Sequence, residues 1–336
     1  MTQPTTAQDS PRVSQSTASQ AAELIERIVN NVDTIIQGKH DVVELVVMAM
    51  IAGGHVLLED LPGTGKTTLV STLSKTVRCE FKRIQFTPDL MPTDVTGFTF
   101  YDQQIKEFRF MKGGVFGNLV LADEINRASA KTQSALLEAM SEGQVTVDGD
   151  TYVLEQPFCV IATQNPIEQF GTYPLPEAQL DRFMVKLSLG YPDFDQAVEV
   201  LKLGKGAKKA VQPVSSGPEI MALRELSENV YATDMVLRYI MQIITATRDN
   251  ADILVGSSIR GAEALLALSR VQALVNGRGY VTPDDVKPLV GHVLRHRIIL
   301  AHSAKSAGRS ADDVLASILG SIHVPHIEEG DLRGIK

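Results

Sequence analysis

The sequence predicts a parallel α/β nucleotide-binding domain, with helices on both faces of the sheet, followed by a small helical domain. Three observations lead there. The stretch His55-Val-Leu-Leu-Glu-Asp-Leu-Pro-Gly-Thr-Gly-Lys66-Thr-Thr68 reads as a buried strand, a glycine loop and the start of a helix. Asn118-Leu-Val-Leu-Ala-Asp123-Glu124 is an apolar run that delivers two acids to a strand end, as central strands of parallel sheets do. Beyond Tyr191-Pro192 the alternation of strands and helices gives way to helical periodicity alone.

Each element follows from local pattern. Twelve of the first twenty residues are Ser, Thr or Gln, and the only aliphatic ones besides Met1 are Ala7, Val13 and Ala18, so residues 1–20 are expected to form a disordered tail. Leu24, Ile25, Ile28, Val29, Val32, Ile35 and Ile36 recur at helical spacing over 21–37, and Gly38 stops that helix. Residues 40–52 are apolar almost all round and predict a buried helix. Strand 55–59 and the glycine loop precede a helix over 66–77, then a strand over 81–86. The Pro- and Asp-containing stretch 88–97 reads as irregular.

Residues 99–101 and 108–110 flank a polar turn and predict a β-hairpin. After the strand ending at Asp123 comes a helix over 129–142. A second hairpin joins 145–147 to 152–154 through Asp-Gly-Asp, and strands over 158–163 and 183–187 complete the sheet. The second domain is read as helices over 195–203, 218–227, 233–248, 258–275, 283–296 and 311–321, with a loop at 204–217. The resulting division is a tail at 1–20, an α/β domain at 21–191 and a helical domain at 192–336.

Composition narrows the function classes. The chain has 336 residues with 44% apolar residues, enough for a sizeable core. Its net charge of −8 argues against nonspecific attraction to nucleic acid. The N-terminal segment lacks the apolar core of a signal peptide, and no apolar run approaches the roughly 20 residues that span a bilayer. A cytoplasmic protein is expected. Cys79 and Cys159 have no metal-ligand spacing and read as reduced, inert thiols.

The chemistry lies in five places. Gly63 and Gly65 let the backbone curl around an oxyanion at a helix N-terminus, where free N–H groups and the helix dipole favour phosphate. Lys66 reaches the β- and γ-phosphates, and the Thr67 hydroxyl ligates Mg²⁺. The phosphate-loop pattern G-x-x-x-x-G-K-[ST] asks for glycine where this chain has Asp60. Asp123 is expected in the Mg²⁺ shell beside Thr67, with Glu124 polarising the attacking water.

Val160-Ile-Ala-Thr-Gln-Asn165-Pro ends a strand with an amide suited to orient that water between the acids and the γ-phosphate; a turn cap is the alternative. Arg182, just before the last strand, fits a finger offered to a neighbour's γ-phosphate, and the alternative is a surface arginine paired with Asp181. Arg260 opens a helix of the second domain. It either reports nucleotide state to that domain or is a solvated first-turn arginine. His292 and His296 stand four apart, a metal-capable spacing, but with no third ligand nearby they read as structural.

Taken together, the motifs resemble those of the MoxR family of AAA+ ATPases over residues 25–325. The resemblance is carried by Gln37-Gly38, Pro62-Gly-Thr-Gly-Lys-Thr, Gln85-Phe-Thr-Pro-Asp-Leu-Met-Pro-Thr-Asp-Val-Thr-Gly97 and Asp123-Glu-Ile-Asn-Arg-Ala128. Thr163-Gln-Asn-Pro166, Pro176-Glu-Ala-Gln-Leu-Asp-Arg-Phe183, Tyr280-Val-Thr-Pro-Asp-Asp-Val286 and His296-Arg297 complete it. One departure is Ile259, where the family usually has proline before Arg260.

The resemblance implies an AAA+ α/β domain with two hairpin inserts and an all-α lid. It implies an ATPase using ATP and Mg²⁺, and a homo-oligomeric ring, usually a hexamer. It further implies chaperone-like work in enzyme maturation or metal-cofactor insertion, with a partner carrying a von Willebrand factor A domain. The implied nucleotide-contacting set is Gly38, Asp60, Pro62, Gly63, Thr64, Gly65, Lys66, Thr67 and Thr68, with Thr67 and Asp123 at the metal and Glu124, Asn165, Arg182 and Arg260 as the catalytic and sensing set. A DNA-acting motor on the same fold and a nucleotide-gated scaffold without turnover are the competing readings. The first is opposed by the acidity and the second by the presence of Glu124.

Overall fold

A computed structural model describes residues 13–61, 63–165, 172–191, 194, 198 and 211–325. In chain order its elements begin with α1 (Gln15–Asp33), α2 (His40–Ile51), β1 (Val56–Glu59), α3 (Lys66–Thr76) and β2 (Phe81–Gln85). Next come α4 (Pro92–Thr96), β3 (Gly97–Asp102), β4 (Glu107–Lys112), β5 (Leu119–Asp123) and α5 (Ala130–Glu142). They are followed by β6 (Gln144–Val147), β7 (Asp150–Val153), β8 (Cys159–Gln164), α6 (Glu177–Leu180) and β9 (Val185–Leu187). The lid then contributes α7 (Gly217–Glu228), α8 (Asp234–Asp249), β10 (Ile253–Val255), α9 (Ile259–Val275), α10 (Pro283–Val286), α11 (Val290–Leu294), β11 (Ile299–Leu300), α12 (His302–Ser306) and α13 (Ala311–Ser321).

The main sheet has five parallel strands in the order β2-β5-β8-β1-β9. Strand side chains alternate between faces, and the core divides accordingly. Val56, Leu58, Leu119, Leu121, Ile161, Val185 and Leu187 face a core shared with α1, α2, α3 and the lid helices. Leu57, Val120, Ala122, Val160 and Ala162 face a second core with Leu136 and Leu137 of α5, Val145 of β6 and Phe183. Both faces are covered, which is why the central strands β1, β5 and β8 read as continuous apolar runs. The lid is tied to the sheet domain by Arg224 of α7, whose guanidinium donates to Met50 O and Ile51 O at the end of α2, where carbonyls lack helical partners.

Both predicted hairpins form. In β6–β7, Asp148 and Gly149 both adopt positive φ, 52° and 93°, as a two-residue turn of matching twist requires. The hairpins meet where Phe110 of β4 stacks on Tyr152 of β7 at 3.9 Å between ring centroids.

The structure corrects several expectations. Residues 15–20, expected within the disordered tail, are helical: α1 starts at Gln15, capped by Ser14 Oγ, which accepts from Thr17 N, while residues 1–12 lie outside the described residues. Ala18 and Ala21 are buried, and Gln15 donates to Gly277 O at 2.7 Å, so docking on the lid overrides the polar composition. Within 88–97, Pro92–Thr96 is a short helix, and the Asp94 carboxylate accepts from Met91 N at its start. The helix expected over 283–296 breaks into α10, a 3-10 turn at Lys287–Leu289 and α11, because Pro288 supplies no N–H and crowds the preceding turn. The lid also carries the small antiparallel ladder β10–β11. The helix expected over 195–203, most of the loop 204–217, and Pro62 lie outside the described residues, isolated positions 194 and 198 aside.

Candidate nucleotide site

The site forms along the C-terminal edge of the parallel sheet, where open α/β sheets bind ligands. Neighbouring strands lie about 4.8 Å apart, so the ends of β1 and β5, separated by β8, are roughly 10 Å apart. Asn165, immediately after β8 and 8% exposed, falls between them.

The loop after β1 has the geometry of an anion cradle. Gly63 and Gly65 have φ of 87° and 90°, and, chain neighbours aside, a Cβ on either would meet no atom of the described residues within 4 Å. Gly65 is the N-cap of α3, whose first residues are Lys66, Thr67 and Thr68. Lys66 Nζ donates to Asp60 O at 3.0 Å and Leu61 O at 3.2 Å, and the Thr64 hydroxyl donates to Leu61 O. The ammonium is therefore held over the loop by two backbone carbonyls.

Asp60, expected among the nucleotide-contacting residues, is corrected. Its side chain is 4% exposed and fully engaged elsewhere: Oδ1 accepts from Ser188 Oγ at 2.7 Å and Gly190 N at 2.9 Å, and Oδ2 accepts from Leu189 N at 2.7 Å. The departure from the glycine of the usual phosphate loop thus ties the loop's base to the segment after β9. Gly38 lies in the turn between α1 and α2 with φ 68°, and adjoining Lys39 donates to Tyr191 O at 3.0 Å, which brings that turn to the same segment.

The two acids emerge from β5 into a polar network. Asp123 Oδ1 accepts from Thr163 Oγ1 at 2.7 Å and Oδ2 from Arg83 Nη2 at 2.6 Å. Thr163 Oγ1 in turn accepts from Glu124 N. Glu124 has φ 57°, a conformation uncommon for a residue with a Cβ. Its carboxylate accepts from Gln85 Nε2 and Arg127 Nη1, both at 2.9 Å. Sequence reasoning gave no role to Arg83, Gln85, Arg127 or Thr163, although the last three stand in motifs it singled out. The signal available was the polar end of β2, whose Gln85 pairs in register with Asp123.

The arginines are placed differently. Arg182 does not pair with Asp181: its guanidinium donates to Leu137 O and Ser141 Oγ of α5. Asp181 instead pairs with Arg297 at 2.7 Å. Arg260 is 65% exposed in its side chain, and its guanidinium stands 3.9 Å from Asp181 Oδ2, so it sits beside the Arg182 segment. The histidine spacing holds no metal cluster: among the described residues no group of three or more His, Cys, Asp or Glu side chains is poised for a metal. His296 is buried and donates through Nε2 to Phe183 O, and burial together with Arg297 lowers its pKa to about 3. His55, also buried, bridges Met140 O and Val160 N, with its pKa lowered to about 4 by burial. Burial raises the thiols of Cys79 and Cys159 to about 11 and about 12, in keeping with inert cysteines.

A phosphate loop at the end of β1, paired acids two strands away, an amide between them and a helical lid define a P-loop ATPase domain of the AAA+ type. Residues 55–185 match the model of the ATPase family associated with various cellular activities (AAA), and residues 245–318 match an AAA lid domain. The chain is 46% identical over 304 residues to the uncharacterized protein YeaC of Bacillus subtilis, covering 90% of this chain and 95% of that one. It is 40% identical over 326 residues to Chaperone MoxR1 of Mycobacterium tuberculosis, covering 94% and 86%. A crystal structure of a candidate ATPase from Cytophaga hutchinsonii superposes with a TM-score of 0.87 at 39% identity, covering 93% of this chain and 98% of that one. The chain belongs to the MoxR family of AAA+ ATPases. Among the described residues no helix is long and apolar enough to cross a membrane.

Proposed function

We propose that the chain hydrolyses ATP in a homo-oligomeric ring and uses the resulting motion to remodel client proteins, as a cytoplasmic chaperone in their maturation or cofactor insertion. The observation that carries the reading is the sheet edge: the Gly63–Thr68 loop, Asn165 and the Asp123-Glu124 pair occupy the ends of three adjacent strands in the order β1, β8, β5. In this reading the backbone from Gly63 to Thr68 and the Lys66 ammonium hold the phosphates. Thr67 and Asp123 hold Mg²⁺, which neutralises phosphate charge when bound; a hydroxyl and a carboxylate suit a cation that keeps most of its water. Glu124 accepts a hydrogen bond from the attacking water and polarises it, and Asn165 fixes that water's position.

Arg83 donates to Asp123, and Gln85 and Arg127 donate to Glu124. In this reading, loading the site exchanges some of these partners for ligand. Arg182 completes a neighbour's pocket, with Arg260 on the same side of the subunit. A partner with a von Willebrand factor A domain fits the family, and nucleic acid is not expected.

Complementation tests the shared site. Arg182→Ala and Lys66→Ala subunits, each inactive alone, are expected to regain phosphate release when mixed, because some interfaces join an intact pocket to an intact finger. Subunit exchange is verified by co-purification. No recovery in verified mixed rings would refute the trans assignment.

A further inference from the structure

The sequence motif His296-Arg297 has no part in the nucleotide pocket, yet its arginine is among the most completely bonded side chains of the lid. Arg297 follows α11, and its side chain is 3% exposed. Nε donates to Asp181 Oδ1 at 2.7 Å, Nη2 to Asp181 O at 3.1 Å and Phe183 O at 2.8 Å, and Nη1 to Met184 O at 2.9 Å. His296 Nε2 donates to the same Phe183 O at 2.9 Å. From the start of α9, Ser258 Oγ donates to Asp181 Oδ2 at 3.1 Å. Gly261 allows the approach, since a Cβ there would fall 2.1 Å from Ser257 Oγ and 3.3 Å from Arg297 Cδ.

Residues 181–184 are thus gripped by the lid on either side of Arg182, while Arg182 itself points to α5. We propose that Arg297, through Asp181 and the carbonyls of 181–184, is a positioning residue that fixes Arg182 to the lid, so that lid movement in one subunit sets the finger presented to its neighbour. The planar guanidinium suits the task, because one rigid fork spans a carboxylate and three carbonyls that a lysine ammonium cannot reach together. Arg260 and Ser258 stand on the same carboxylate, so the lid's own arginine moves with the finger.

The proposal rests on the reading of Arg182 as a finger in trans, and complementation separates the two. Arg297→Lys alone is expected to lower kcat about 100-fold, the cost of a misplaced catalytic group, with KM for ATP changed less than about twofold. Mixed with Lys66→Ala subunits it should recover turnover, because its intact pocket receives its neighbour's finger. Mixed with Arg182→Ala subunits it should not, because both lack a working finger. The opposite pattern, recovery with Arg182→Ala and none with Lys66→Ala, would show that Arg297 serves its own pocket and overturn the proposal. Asp181→Asn, which keeps the side-chain shape, should reproduce the Arg297→Lys pattern. Wild-type kcat in both variants overturns the proposal, and so does loss of folding in both by circular dichroism, which would make the pair a fold element. Failure of the Arg182→Ala and Lys66→Ala pair to complement would mark the trans reading as the fault and remove the premise.

Discussion

Replacing Asp60 with glycine would restore the usual phosphate-loop pattern, and the structure says it should damage the protein. The carboxylate is buried and accepts three hydrogen bonds of 2.7–2.9 Å from Ser188 Oγ, Leu189 N and Gly190 N. Hydrogen bonds to a charged acceptor contribute about 1.5–3 kcal/mol each, and buried donors left unpaired cost about 1–3 kcal/mol. Relaxation and water entry return part of this, so we expect a loss of about 3–5 kcal/mol for Asp60→Gly, near the upper end for single substitutions. In a chain of this size that corresponds to a fall in Tm of roughly 5–10 °C. Asp60→Asn should rescue little. Its oxygen can keep Ser188 and Gly190, but its amide nitrogen would face the donor Leu189 N. Thermal unfolding with and without ADP measures both the loss and its site: since Lys66 rests on Asp60 O, nucleotide affinity should fall with stability. An Asp60→Gly protein with unchanged Tm and unchanged ADP stabilisation would refute the reasoning.

Further outcomes are expected. Lys66→Ala should lose detectable ATP binding by calorimetry, because the loop loses its cation for the β- and γ-phosphates; retained affinity would mean that the nucleotide binds elsewhere. Glu124→Gln should bind ATP normally and release phosphate very slowly, since an amide keeps the shape but cannot polarise water; turnover at the wild-type rate would remove Glu124 from the chemistry. The buried histidines make the fold acid-sensitive. His55 and His296 titrate near 4 and 3 in the folded chain, against 6.5 when exposed, so between those values the unfolded state binds more protons. Stability is unpenalised above pH 6.5 and falls below it, by about 2 kcal/mol for each histidine between pH 7 and 5. In urea titrations at the two pH values, His55→Gln, which keeps a donor and an acceptor without titrating, should remove one such share; an unchanged pH dependence would contradict the assignment. Cys79 and Cys159, with thiols raised by burial, should resist alkylation in the native protein and react only on unfolding, as mass spectrometry would read.

The sequence alone determined the sheet domain, because its central strands β1, β5 and β8 are buried on both faces and its glycine loop has few other uses. Gly63 and Gly65 need positive φ, which no Cβ-bearing neighbour adopts as cheaply, and Asp148-Gly149 fixes the hairpin turn in the same way. The order of Lys66, Asp123, Glu124 and Asn165 along the chain was enough to predict one sheet edge, because consecutive strand ends in a parallel sheet all open on the same side. Position 60 marked a departure whose purpose was illegible, since its partners lie at 188–190, more than a hundred residues away. Asp181 stands next to Arg182 in sequence, which invited a local pair, but burial beside the lid gave Asp181 to Arg297 and left Arg182 for α5. The start of α1 was hidden for a similar reason: small buried alanines and one glutamine bonded to the lid supply stability that composition does not register. Local backbone preference and side-chain alternation are written in short stretches of sequence. Which distant carbonyls and carboxylates satisfy a buried charge is settled only when the chain has folded: here Asp60 meets residues 188–190, and Arg297 of the lid meets Asp181 and the carbonyls of 183 and 184.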